Sequence, residues 1–134
     1  MFFNGLVAAN LLNGGQVTSG TSSAGFGITA LPAAPVTGAG LTVAYGTHDG
    51  AGSTTYNKTA HWLIMQKGLG ATPTAAISPR TLQNIDSGID DGLPDQGGVR
   101  GDDVGTAGCN TTGALARYTV SDNTTCFPLF EVSQ

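Results

Sequence analysis

Charge is what this chain has least of. Asp, Glu, Lys and Arg make up 10% of its 134 residues, against about 25% in an ordinary soluble domain. Only five residues are basic against nine acidic. That balance argues against a nucleic-acid partner, because neutralising phosphates takes Lys and Arg. Long apolar runs are missing as well, and none reaches the roughly 18–20 residues of a membrane span. Residues 2–12 are apolar but contain Asn4 and Asn10 and lack the basic flank of a signal peptide. Glu, Lys and Gln are scarce, which disfavours a helical bundle. Two His and two Cys, with no CxxC spacing, make a zinc or redox site improbable.

Glycine and threonine fill the space that charge leaves. The 21 glycines have no three-residue period, so a collagen helix is excluded. An apolar fraction of 40% with so few charges also excludes a solvated, disordered chain. The length fits a single domain, 1–134, and the Thr, Val and Gly content favours strands and loops. The segment between Cys109 and Cys126 is polar and has little to pack. A bridge between them is expected, with two separate buried thiols as the alternative. Such a bridge would stabilise by about 3 kcal/mol through the unfolded chain and would place the protein outside the reducing cytosol.

Along the chain, residues 2–12 repeat apolar side chains at helical spacing, and Asn13, Gly14 and Gly15 stop them. The helix has no capping residue before it and reads as the remnant, 1–14, of a longer one. Residues 15–40 form a Gly/Thr/Ser/Pro-rich loop, and 41–134 carry the sheet and the C-terminal loops. Strands are expected at 41–45 and 59–65. A helix should start at Ser78-Pro79, use Leu82, Ile85 and Ile89 on one face, and end at Gly88. Val99-Arg100, 115–120 and 126–132 read as further strands, with Pro128 marking the last as an edge or a broken strand.

Residues 85–99 read IDSGIDDGLPDQGGV. This resembles the IDxKIDDGxPxxGxV segment of many bacterial type IV pilin-like proteins, in which a cysteine, a tyrosine and a second cysteine follow. Cys109, Tyr118 and Cys126 stand in that order. Residues 4–14, NGLVAANLLNG, resemble the family's upstream HLxxAxLIxG stretch, with Asn4 in place of His. Gly88 stands where the family has lysine, and an extra glycine precedes Val99. The family's apolar membrane helix is missing. The resemblance implies an α+β, pilin-like fold: an N-terminal helix, here truncated, packed on an antiparallel sheet, with a disulfide-closed C-terminal region. Leu6, Val7, Leu11 and Leu12 would pack that helix, and Gly92, Pro94, Gly97 and Val99 would shape the motif loop. It also implies a structural subunit of a type IV pilus or a type II secretion pseudopilus, not an enzyme. Its partners would be other subunits, with the inner membrane reached through the missing helix, and its place would be periplasmic or on the cell surface.

Asp86, Asp90, Asp91 and Asp95 crowd the same stretch, with Asp102 and Asp103 close behind. Calcium takes six to eight oxygens, and such loops supply them, although the spacing is not that of an EF-hand. Type II secretion major pseudopilins, similar in class, can carry calcium in a C-terminal loop. The plainer reading is a turn whose carboxylates accept backbone N–H groups or pair with Arg100. His48-Asp49 with Ser53 nearby lacks the strained nucleophile turn of a hydrolase and reads as a turn. His61 reads as a structural histidine. Gly25-Phe26-Gly27 and Gly68-Leu69-Gly70 lack the ending of a phosphate loop. The triplets at Asn57, Asn110 and Asn123 match a glycosylation pattern that a Thr-rich chain produces by chance. The competing functional reading is a secreted β-rich binding module for a ligand such as carbohydrate, stacked on an exposed Trp62 and on Tyr56.

Overall fold

The computed structural model describes residues 34–48, 56–68, 74–102, 108–111 and 115–132. The stretch holding Leu6, Val7, Leu11 and Leu12 lies outside them, as do Asp49, Ser53 and Asp103. Two alternating runs become long strands, β1 (Ala39–His48) and β2 (Lys58–Lys67), paired antiparallel over their whole length. Then follow α1 (Pro79–Ile89), β3 (Val99–Asp102) and β4 (Phe127–Glu131). The sheet order is β1-β2-β4-β3, with every pairing antiparallel. No helix among the described residues is long and apolar enough to cross a membrane.

Helix α1 begins as its residues dictate. Ser78 is the N-cap and accepts a bond from the Thr81 backbone N–H, while Pro79 occupies the first turn, where no partner for its nitrogen is needed. Gly88 does not end it. The helix continues through Ile89, and the cap is Asp90, whose N–H donates to the Asp86 carbonyl. Gly88 is exposed, with open space where a Cβ would sit. The left-handed turn that takes the chain away comes later, at Gly92, with φ of 74°.

Two other expectations are corrected. Residues 115–120 form no strand. They make only a bridge, Asn110 with Tyr118, framed by bonds from Thr111 N–H to the Arg117 carbonyl and from Thr119 N–H to the Cys109 carbonyl. Pro128 sits inside the sheet rather than at its edge. The reason is register. The N–H groups of Glu131 and Val132 point to β3 and β2 respectively, so by alternation the Pro128 nitrogen faces β2. Pairing with β2 stops at Leu129, one residue short of it. The proline therefore removes no ladder bond.

The sheet has two differently built faces. One carries Met65, Phe130 and Val99, and α1 packs there through Leu82 and Ile85, joined by Ile77, Tyr118 and the two cysteines. The other carries the fully buried Trp62, with Leu129, Phe127 and Arg100 beside it. Arg100 is in register, through Leu129 and Ile64, with Thr42. Its guanidinium nevertheless donates to the carbonyls of His48 and Tyr56, at 2.7 and 2.6 Å. The β1–β2 hairpin therefore bends over this face and brings its far end to β3.

Candidate functional site

The motif segment 85–99 is the connection from α1 to β3, and each of its distinctive residues has a mechanical task. Asp86 is fully buried at the end of the helix. One carboxylate oxygen accepts the Gly92 N–H at 3.0 Å, and the other accepts the Tyr118 hydroxyl at 2.7 Å. The side chain thus ties together the helix, the turn and the disulfide loop. Asp90 places Oδ2 on the N–H groups of Gly98 and Val99, where β3 begins. Asp91 Oδ1 accepts the Leu93 N–H at 2.8 Å. Gly92 and Gly97 both adopt positive φ. A Cβ on Gly97 would lie 2.1 Å from the Asp90 carboxylate, and one on Gly92 would lie 2.6 Å from the Ser87 hydroxyl. Pro94 is buried and its carbonyl accepts the Gly101 N–H, while Val99 enters the core.

Burial pushes the Asp86 carboxyl up to about 6, the Tyr118 and Gly92 bonds offsetting part of the rise and the charges of Asp91 and Asp90 adding to it. Burial and the bond to Asp86 push the Tyr118 hydroxyl well above its ordinary value.

The disulfide joins Cys109 to Cys126, with a Cα–Cα distance of 4.9 Å. Cys126 also bridges to Ile77, just before α1, so the staple anchors the segment at 108–111 to the sheet and to the helix entry at once. The loop then presses on β3 at Gly101, where a Cβ would come within 2.8 Å of the Tyr118 ring and 3.0 Å of the Cys109 sulfur. Asn110 is buried there, its amide donating to the Gly101 carbonyl.

Of the four candidate calcium ligands, three come together: carboxylate oxygens of Asp86, Asp90 and Asp91 lie within 4.8 Å of one another. Asp95 is not of that group. It is buried, and neither of its oxygens has a hydrogen-bond partner. Asp102 is at the far end of β3, 3.4 Å from His48. Both Asp86 oxygens are engaged, one by the Gly92 N–H and one by the Tyr118 hydroxyl. Two exposed carboxylates then remain, far short of the six to eight oxygens calcium takes. The donor set fits a self-bonded turn better than a cation cage.

On the hairpin face the structure assembles a set that the sequence reading did not single out. Arg100 lies over the Trp62 ring at 5.5 Å, the His48 ring meets Trp62 edge-on at 5.9 Å, and the Trp62 indole N–H donates to the Gly46 carbonyl. Arg100 thus serves this face with its terminal nitrogen, while its Nε donates to the Gly97 carbonyl of the motif turn at 3.4 Å. No periodicity could have announced the cluster, because its members meet only through the bend. Lys58 pairs with Glu131 at 2.5 Å nearby, while on the opposite face of the hairpin Tyr45 meets His61 at 4.8 Å with the rings tilted by 50°. Burial of Trp62 removes it as a stacking platform, and Tyr56 is partly exposed.

No protein-family model, curated protein or solved structure matches the chain.

Proposed function

We propose that the chain is the extracytoplasmic domain of a structural subunit, assembled into a type IV pilus-like or type II secretion pseudopilus filament. The observation that carries the reading is the joint between the motif and the staple. Asp86, from the IDSGIDDG run, is bonded to Tyr118, from between the two cysteines. The two halves of the sequence resemblance therefore meet in one buried contact, as parts of a single architectural device. The antiparallel sheet with a helix on one face and a disulfide-closed C-terminal region is consistent with it. Trp62 is buried, as this reading expects, whereas the ligand-stacking module expects it exposed. The disulfide supports an oxidising compartment. The role is assembly: the partners would be copies or relatives of the chain, with the membrane reached through a preceding apolar helix.

The test is to shear surface filaments, or purify the secretion apparatus, from the native host and identify this chain by mass spectrometry together with its mature N-terminus. Recovery in filaments, with a processed apolar N-terminal helix, is the expected result. A chain released as a free monomer with no such helix sinks the proposal.

A further inference from the structure

Asp91-Gly92 is an Asp-Gly step, the dipeptide with the least steric protection against succinimide formation, because glycine has no side chain to shield its nitrogen. In that reaction the Gly92 nitrogen attacks Cγ of the Asp91 carboxylic acid. An N–Cγ bond forms, a Cγ–O bond breaks, and the amide proton leaves with the hydroxyl as water. Water then opens the ring at the main-chain carbonyl and leaves isoaspartate, with one extra methylene in the backbone.

The structure engages both reacting groups in other bonds. The Gly92 N–H is held at 3.0 Å by Oδ1 of the buried Asp86, and the Asp91 carboxylate is held by Leu93 N–H at 2.8 Å. Gly92 is further fixed at φ 74° beneath Ser87. We propose that Asp91 is a latent isomerisation site and that Asp86 keeps it silent by holding the Gly92 amide. The consequence is local and severe: an added backbone atom at Asp91 would displace Gly92 from Asp86 and slacken the joint to Tyr118. This inference goes beyond the filament reading and does not depend on it.

The test is ageing at mildly acidic pH, where aspartate side chains are partly protonated. Isoaspartate at position 91 is then measured by peptide mapping with isoaspartyl-specific labelling. Wild-type protein is expected to form it at least about fivefold more slowly than a synthetic 85–99 peptide, the factor one lost hydrogen bond is worth. Asp86→Leu removes the acceptor and should approach the peptide. Asp86→Asn keeps an oxygen facing Gly92 and should stay near wild type. Tyr118→Phe loosens the same region without touching the Gly92 bond, so it should also stay near wild type. Equal rates for wild type and peptide overturn the proposal, as does equal acceleration by Tyr118→Phe and Asp86→Leu. If Asp86→Leu does not fold, the wild-type, peptide and Asp86→Asn rates decide alone.

Discussion

The two faces of the sheet solve the same problem, covering apolar strands, with different means. The helix face is closed by segments that follow one another in the chain: α1, the motif turn and the stapled loop. Most carboxylates of its motif turn are bonded to backbone amides within ten residues, as with Asp90 to Gly98 and Asp91 to Leu93, and the buried Asp86–Tyr118 bond is the long-range exception. The hairpin face is closed by long-range contacts. Arg100 reaches residues 52 and 44 positions away, and a cation, an indole and an imidazole pack together. A local turn motif can be written into consecutive residues and recognised in them. A clamp built on a bent hairpin cannot.

The sharpest way to break the comparison is at its hairpin side. Trp62→Ala should cost about 3–5 kcal/mol, the usual penalty for emptying a buried aromatic site, read by denaturant unfolding. On the helix side, replacing Cys109 and Cys126 together by serine should cost about 3 kcal/mol. If the faces are built independently, the two costs add to within about 0.5 kcal/mol in the combined variant.

A smaller effect separates the faces by pH. The Asp86 pKa is raised from 3.8 to about 6, so the folded state binds this proton more tightly than the unfolded chain does. The stabilisation is complete below the unfolded value and is lost as pH rises through about 6. Between pH 4 and pH 7 the stability of wild type relative to Asp86→Asn should fall by about 2 kcal/mol. A flat difference would show that burial of Asp86 is relieved in solution. Gly88→Ala is expected to gain about 0.5–1 kcal/mol, since the position is helical, exposed and open. The same openness admits the lysine of the family pattern. Millimolar calcium should move the melting temperature by less than about 2 °C, corresponding to well under 1 kcal/mol of linkage. A larger rise would make the aspartate turn a true cation site.

The residues themselves determined the two long strands, the Ser78-Pro79 helix start, the short strand at Val99 and the cysteine pairing. Each rests on a near-neighbour signal: alternation, a cap with its proline, or two cysteines flanking a polar segment. The end of α1 was misplaced because glycine permits a stop without compelling one. What ends the helix is the capture of Gly98 and Val99 by Asp90. The fate of Pro128, the missing strand at 115–120, the meeting of Asp86 with Tyr118, the separation of Asp95 from the other aspartates and the burial of Trp62 were all decided by tertiary structure. The physical reason is common to them. Register, hairpin bending and desolvation depend on which distant segments lie alongside, and side-chain spacing along one strand or helix does not encode that.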